Sequence, residues 1–143
     1  LGVLMSSEKT IFTRIIEGEL PCHKLFEDEH VIAFLDIQPL TRGHTLVIPK
    51  EPAPTMDKLS PESASALGRV LPAICRAVMS ATGASAYNLV QNNGREAGMS
   101  VPHVHIHIIP RFSESTHSFL WEHSEIDHSE ASKLAEDISA AMD

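Results

Sequence analysis

Apolar residues follow two patterns along the chain, one extended stretch at helical spacing and several short runs. The extended stretch predicts a single long helix. Ser60-Pro61-Glu62 is a helix start, with an N-cap serine, proline at the first helical position and an acid in the first turn. An apolar stripe at helical spacing then consists of Leu67, Leu71, Ile74, Cys75 and Val78. Because the stripe continues past Pro72, we expect a kink there and a helix end at Gly83.

Five shorter apolar runs have the composition of β-strands. They cover residues 24–27, 31–35, 45–48, 87–91 and 103–109. Short helices are predicted at residues 11–16 and 129–142, a turn at 92–94 and a loop at 95–101. Runs of strands with the helices segregated from them indicate an α+β fold with a mainly antiparallel sheet.

Length and charge indicate one domain of nearly zero net charge, which contains the sheet, followed by an acidic C-terminal tail. The 143 residues suit a single domain, and the net charge of −8 argues against nucleic acid or an anionic membrane as partner. Residues 113–143 hold eight acids and one base. We expect a flexible segment at residues 1–9, a domain at 10–112, and a solvated tail at 113–143 with a short helix. Phe119, Leu120 and Trp121 are expected to pack back on the body or on a partner subunit.

The two cysteines and the N-terminal residues favour a cytoplasmic protein. Cys22 and Cys75 form no C-x-x-C pair, so a disulfide framework is not expected and a reducing compartment fits. The first residues lack the basic start and the apolar length of a secretory signal. No apolar run approaches the ~18 residues that a membrane span needs.

The most informative segment is His103-Val104-His105-Ile106-His107-Ile108-Ile109. Alternation in a strand would point the apolar side chains to the core and line up the three histidines on the other face. Three interpretations follow: separately solvated imidazoles, a metal site, or covalent chemistry at phosphorus. A sheet face carrying only histidine is a poor solvated surface, and the segment contains no carboxylate to complete a metal site.

Covalent chemistry uses the properties of a row of imidazoles directly. A neutral imidazole can attack phosphorus through one nitrogen, provided that the other nitrogen donates to a fixed acceptor that sets the tautomer. Neighbouring imidazoles can donate hydrogen bonds to phosphate oxygens as charge develops. Three histidines in one row allow this division of roles.

The segment matches the His-φ-His-φ-His-φ-φ signature, with φ apolar, of the histidine triad (HIT) family. Residues 34–39 (FLDIQP) and 43–50 (GHTLVIPK) resemble nucleoside-contacting segments of that family, and the likeness spans residues 10–112. The chain resembles the histidine triad nucleotide-binding branch. The resemblance implies a HIT-like fold, a five-stranded antiparallel sheet with one long helix and short flanking helices. It also implies a homodimer formed through the long helix and an edge strand.

The resemblance further implies a reaction and a role for individual residues. His105 would attack the α-phosphorus of a nucleotide, His103 would orient it through its carbonyl, and water would release the nucleoside monophosphate. Phosphate contacts are implied for His44, Asn92, Gly98, Ser100 and His107. Asp36 would accept hydrogen bonds from the ribose hydroxyls. A purine base would be enclosed by Ile11, Phe12, Ile15 and Ile37.

The substrate is expected to be a purine nucleotide, with no cofactor and no metal. A purine nucleoside phosphoramidase releasing AMP is the first interpretation. A dinucleoside polyphosphate hydrolase is a second, which Met99 disfavours because many relatives have a polar glutamine there and a thioether cannot donate a hydrogen bond. A nucleotide-binding interaction module with little turnover is a third, since intact catalytic residues do not report rates.

Overall fold

The computed structural model describes residues 9–113 and 123–142. The sheet strands are β1 (Lys24–Glu27), β2 (Val31–Leu35), β3 (Thr45–Pro49), β4 (Ala86–Val90) and β5 (Ile106–Arg111). The helices are α1 (Ile11–Ile16), α2 (Pro61–Thr82) and α3 (His128–Ala141), with short 3-10 turns at Met56–Lys58 and Arg95–Ala97. Within the described residues no helix combines the length and apolarity that a membrane crossing requires.

All five strands form one antiparallel sheet in the order β1-β2-β3-β5-β4. This confirms the predicted α+β class and the five-stranded antiparallel sheet. In the centre of the sheet, Leu46 of β3 lies opposite His107 of β5, and Val47 lies opposite Ile106. Residues that are paired across two strands share a face, so His107 lies on the same face as Leu46.

The two faces of the sheet are covered by different helices. Helix α2 packs on one face, where Val47 and Ile108 are fully buried against Leu67 and Ile74. Phe12 of α1 covers the opposite face in a second apolar cluster with Ile32, Phe34, Leu46 and Ile48. His107 therefore lies on the face that the short helix α1 packs against.

Helix α2 confirms the predicted capping and the predicted continuation of the helix past Pro72. Ser60 Oγ accepts a hydrogen bond from Ser63 N–H at 3.1 Å, and Pro61 opens the helix. Gly83 ends it with a φ of 74°, a left-handed conformation that glycine adopts without cost. Pro72 lies inside a helix that continues without a break.

The predicted strand at residues 103–109 is wrong at both ends. Strand β5 begins at Ile106, so His103 and His105 lie before it, and it extends through Pro110 to Arg111. Val104 N–H donates to the carbonyl of Ala53 at 2.8 Å instead of to a strand neighbour. The His103 ring is 2.8 Å from the carbonyl of Pro49, so a side chain takes the acceptor at the end of β3.

The tail contributes one solvent-exposed helix. Asp127 caps α3 by accepting hydrogen bonds from the N–H groups of Ser129 and Glu130, and α3 buries no residue. The helix predicted at residues 129–142 is therefore confirmed, one residue early at each end. Residues 1–8, 114–122 and 143 lie outside the described residues, and with them the predicted packing of Phe119, Leu120 and Trp121.

Candidate active site

Four imidazoles meet where the start of β5 runs beside β3. His103 and His105 lie in the segment that enters β5, His107 is its second residue, and His44 directly precedes β3. The ring centroids of His105 and His107 are 4.9 Å apart, and those of His107 and His44 are 5.1 Å apart. The register of the two strands therefore places His44, just before β3, beside the three histidines of residues 103–107.

The ring of His105 has one defined tautomer. Its Nδ1 lies 2.7 Å from the carbonyl oxygen of His103. Because a carbonyl only accepts, Nδ1 carries the proton, and a neutral ring then has its lone pair on Nε2. The residue as a whole is 5% exposed, and its ring lines the cavity described below.

His103 fixes the segment that carries this carbonyl. Its Nε2 donates to the carbonyl of Pro49 at 2.8 Å, and the side chain is 1% exposed. Within residues 9–113 and 123–142, its Nδ1 is a buried side-chain nitrogen without a hydrogen-bond partner. In the neutral tautomer this nitrogen is unprotonated, so the unmet group is an acceptor and not a donor.

His44 and His107 form a second hydrogen-bonded pair. His44 Nε2 is 2.9 Å from His107 Nδ1, and Leu40 N–H donates to His44 Nδ1 at 3.0 Å. Asp36 Oδ2 lies 3.5 Å from His44 Nε2, while its Oδ1 accepts from Gln38 N–H at 2.8 Å. The loop between β2 and β3 thus supplies the surroundings of His44.

Burial keeps all four imidazoles neutral near pH 7. Loss of hydration lowers the pKa of His44, His103 and His105 below the ordinary 6.5. For His107, burial followed by the neighbouring His105 and His44 lowers the pKa to about 4. Neutral rings, with one protonated and one unprotonated nitrogen, are what both a nucleophile and a fixed tautomer require.

A cavity of about 550 Å³ opens beside this row. The predicted site residues that line it are Ile11, Phe12, Ile15, Asp36, Ile37, Ser100, His105 and His107. Phe34, Leu35, Gln38 and Leu46 also line it and belong to the two segments that resemble nucleoside-contacting ones, whereas Leu20, Pro21, Cys22 and Val101 were not predicted to contribute to the site. One end of the cavity is therefore aliphatic, and the other presents imidazoles, a carboxylate and a hydroxyl.

Four predicted site residues do not line this cavity. His103 and His44 are 1% and 3% exposed and lie behind the residues that do. Asn92 is half-buried and Gly98 is exposed, and a Cβ added to Gly98 would lie 4.0 Å from Asn92 Nδ2. Phosphate contacts by His44, Asn92 and Gly98 remain predictions.

The group of Asp36, His44 and His107 could also be considered as a metal site. Its carboxylate and two imidazoles place donor atoms within 4.8 Å of one another, a set that a divalent transition metal accepts. However, Leu40 N–H donates to His44 Nδ1, so a neutral His44 carries its proton on Nε2, which faces the other two groups. A protonated nitrogen cannot coordinate a metal, so this hydrogen bond favours a hydrogen-bonded role for the group.

Comparison with known proteins decides the family. The sequence profile of the HIT domain matches residues 17–114, more than half of the chain. The chain belongs to the HIT family. The resemblance found in the histidine row is thereby confirmed, and the relatives below confirm the nucleotide-binding branch.

Two curated relatives of this HIT protein carry names that state an activity. The adenosine 5'-monophosphoramidase hnt1 of Schizosaccharomyces pombe is 44% identical over 133 residues, covering 92% of this chain and 97% of the relative. The adenylylsulfatase HINT3 of Arabidopsis thaliana is 46% identical over 101 residues, covering 71% of this chain. The chain spans about half the length of that plant protein, 51%.

Solved structures share the fold over almost the whole chain. A HIT family protein from Bacillus anthracis superposes with a TM-score of 0.90 at 39% identity, covering 95% of this chain and 99% of that one. A histidine triad nucleotide-binding protein from Candida albicans gives a TM-score of 0.83 at 33% identity, covering 92% and 96%. The HIT fold is therefore shown by sequence and structure together.

Two features of the site have no simple signal in the sequence. The carbonyl of Pro49 and the N–H of Leu40 are main-chain groups, and any residue could have supplied the first. Cys22 has a weak signal, since it follows the turn that ends α1 and precedes β1, where a side chain can turn back toward the helix. The apolar face of α1 could have indicated that the neighbouring segment, which contains Cys22, also lines the cavity.

Proposed function

We propose that this HIT protein hydrolyses purine nucleotides at the α-phosphorus through a nucleotidyl-histidine intermediate, and that it is a purine nucleoside phosphoramidase releasing AMP. The observation that carries the proposal is His105, whose Nδ1 donates to the His103 carbonyl at 2.7 Å while its ring lines the cavity. The names of the yeast and plant relatives support AMP as the released group.

In the first step, the Nε2 lone pair of His105 attacks the α-phosphorus. A P–Nε2 bond forms as the bond from phosphorus to the leaving nitrogen breaks, and the leaving amine takes up a proton. His105 becomes a cation that keeps its Nδ1–H on the His103 carbonyl. His107 and the Ser100 hydroxyl, which line the same cavity, can donate to the phosphate oxygens.

In the second step, water attacks the same phosphorus and the P–Nε2 bond breaks. The water proton is released, AMP leaves, and His105 returns to its neutral tautomer. Because burial lowers the pKa of His105, the imidazole that leaves phosphorus is stable in its neutral form, with the proton on Nδ1. The net reaction consumes one water and produces AMP and an amine.

The two ends of the cavity suit the two parts of a nucleoside. Asp36 is positioned at the end of β2, where its Oδ2 can accept from two adjacent ribose hydroxyls. The aliphatic end, formed by Ile11, Ile15 and Ile37, offers flat apolar contact to a purine ring. The proposal assigns base, ribose and phosphate in order along the cavity toward His105.

A substrate panel with the matched variant His105→Ala tests the proposal. Wild-type protein should release AMP from adenosine 5'-monophosphoramidate faster than from adenylyl sulfate or a diadenosine polyphosphate, and His105→Ala should bind AMP but release none. Acid-quenched single turnovers should trap a radiolabelled adenylyl group on the wild-type chain. Normal hydrolysis by His105→Ala would overturn the assignment of His105, and binding without adduct or product would favour an interaction module.

We further propose that two copies of this chain form a homodimer and that the protein is cytoplasmic. Strand β4 is an edge of the sheet, and Tyr87 and Leu89, two residues apart on one face, are 42% and 47% exposed. A second copy of this chain would cover them. Cys22 and Cys75 are free thiols, as expected in a reducing compartment. Sedimentation equilibrium should give a dimer, and Leu89→Arg should give a monomer if β4 forms the interface.

A further inference from the structure

We infer that His44 is a positioning residue that sets the tautomer of His107, and that the main-chain N–H of Leu40 sets the tautomer of His44. The inference rests on the proposed function, because it concerns how the same site presents a donor to phosphate. It assigns His44 a role different from a direct phosphate contact. The observation behind it is a chain of two hydrogen bonds that ends at the cavity.

The first of the two hydrogen bonds comes from a main-chain N–H, which neither loses its proton nor acts as an acceptor. A main-chain N–H is always a donor, and that of Leu40 lies 3.0 Å from His44 Nδ1. His44 Nδ1 must therefore be the unprotonated nitrogen, and in a neutral ring the proton sits on Nε2. His44 is 3% exposed, so water cannot easily replace either partner.

The second hydrogen bond sets the tautomer of His107. His44 Nε2–H faces His107 Nδ1 at 2.9 Å, so Nδ1 of His107 accepts. A neutral His107 consequently carries its proton on Nε2, the nitrogen on the far side of the ring from His44. Since His107 lines the cavity and His44 does not, the ring presents a donor toward the substrate.

A donor fixed in advance is useful at this site because charge develops on phosphate oxygens. An imidazole in the other tautomer would present a lone pair, which repels an anionic oxygen instead of stabilising it. Asp36 Oδ2, 3.5 Å from His44 Nε2, adds a negative group that favours the proton on that nitrogen. The loop that carries Asp36 and Leu40 thus sets the tautomer of His44, and His44 in turn determines which nitrogen of His107 donates to the substrate.

Nitrogen-15 NMR of the nucleotide-free protein tests the tautomers directly. Long-range proton–nitrogen correlations distinguish the two neutral forms of a histidine, and His107→Gln identifies the signal of His107 among the nine histidines. We expect Nε2–H for His107 and Nδ1–H for His105. A protonated Nδ1 on His107 in the wild-type chain would overturn the inference.

Two pairs of variants separate the tautomer from mere structure. Leu40→Pro removes the N–H and should convert the His107 signal to a tautomer mixture, whereas Leu40→Ala keeps the N–H and the signal. His44→Gln can donate to His107 through its amide and should retain the Nε2–H form, while His44→Leu should lose it. His44→Leu should also lower kcat by about 10- to 100-fold with little change in KM, and His44→Gln should restore most of it.

The outcomes distinguish this inference from the proposed function. If His44→Leu leaves both the His107 tautomer and kcat unchanged, the positioning role is wrong even though the enzyme is active. If wild-type protein forms no adenylyl adduct, the proposed function fails, and the NMR spectra of the four variants still decide the tautomer. Thermal unfolding of each variant identifies any that does not fold, and the other pair then carries the test.

Discussion

Phe12 packs its ring against His105, with ring centroids 4.8 Å apart and ring planes at 71°. Phe12 also contacts the rings of His103 and Phe34, at 6.1 Å each. This single side chain from α1 therefore covers the segment that enters β5 and shields the proposed nucleophile from water. The short helix α1 matters to the chemistry through this contact, beyond its share of the apolar core.

Phe12→Leu should raise the pKa of His105 toward its ordinary value. Burial is the largest cause that lowers this pKa, and the smaller side chain admits water to the ring. The acid limb of kcat/KM should move to higher pH, and the free energy of unfolding should fall by about 1–2 kcal/mol. Activity measured between about pH 4 and pH 8 on both proteins checks the shift.

Phe34→Leu is the matched control for this prediction. Phe34 belongs to the same cluster and lines the same cavity, but its ring contact is with Phe12. It should lose comparable stability while the acid limb stays close to that of the wild type. An acid limb that moves equally in both variants would show that general loosening, and not the Phe12–His105 contact, controls the pKa.

Stability should decrease as the pH falls from about 6.5 toward about 4, because His107 titrates differently in the two states. Its pKa is about 4 when folded and near the ordinary 6.5 when unfolded. Between these values the unfolded chain binds a proton that the native chain does not, so the free energy of unfolding rises with pH and is highest above 6.5. Lowered pKa values at His44, His103 and His105 act in the same direction.

Chemical denaturation of wild type and His107→Gln at a series of pH values measures this effect. The variant has one fewer titrating group, so its stability should depend less steeply on pH over the same range. Carboxylates also contribute at the acid end, and they are shared by both proteins. Identical pH slopes for the two proteins would contradict the assigned shift of His107.

Half of the residues that line the candidate cavity were predicted from the sequence, because the histidine motif and the family resemblance that it carries are local in the chain. Alternation within residues 103–109 separates His105 and His107 from Ile106 and Ile108, and the structure keeps that separation, with the isoleucines packing toward α2. Ile11, Phe12 and Ile15 lie at helical spacing on one face of α1, and all three line the cavity, as the family resemblance implied for residues that contact a purine base. A period of two or of 3.6 residues depends only on neighbours along the chain.

What the sequence could not supply depends on pairing between distant segments. His103 was expected in a strand, but its ring bonds to Pro49, 54 residues earlier, and this contact replaces strand pairing. The hydrogen bond between His44 and His107 depends on the register of β3 against β5, which the sequence does not reveal, and the phosphate contact expected for His44 stays a prediction. The burial of His103 and His105, to which Phe12 of α1 contributes, is likewise a contact between distant segments that the histidine pattern alone does not predict.

Asp36→Asn should weaken substrate binding more than it slows the chemistry. The substitution keeps the side-chain oxygen that accepts from Gln38 N–H, so the local turn is preserved. It removes the charge that strengthens hydrogen bonds from ribose hydroxyls, so KM should rise by about 10- to 100-fold with a smaller change in kcat. Steady-state kinetics with a phosphoramidate substrate measure both constants.

A 2'-deoxyribose substrate provides the control for Asp36. Wild-type protein should discriminate against it, and Asp36→Asn should treat the two sugars more equally, because the group that recognises the hydroxyl is weakened. Unchanged discrimination in the variant would remove Asp36 from ribose recognition. A fall in kcat with constant KM would instead connect Asp36 to the phosphate through His44.

Gly43→Ala should destabilise the loop that holds His44. Gly43 has a φ of +87°, where a residue with a side chain is strained, and an added Cβ would collide with Cγ2 of Thr82 at the end of α2. Together these effects should lower the free energy of unfolding by about 1–3 kcal/mol. Displacement of the neighbouring His44 should also lower kcat.

A double-mutant cycle with Thr82→Ser separates the collision from the backbone strain. Serine removes Cγ2 but keeps the hydroxyl that donates to the Val78 carbonyl at 2.8 Å, so Thr82→Ser alone should have a small effect. In the double variant the collision is gone and the φ strain remains, so stability should recover only in part. Full additivity of the two substitutions in urea denaturation would show that Thr82 does not confine residue 43, and the loss in Gly43→Ala would then belong to backbone strain alone.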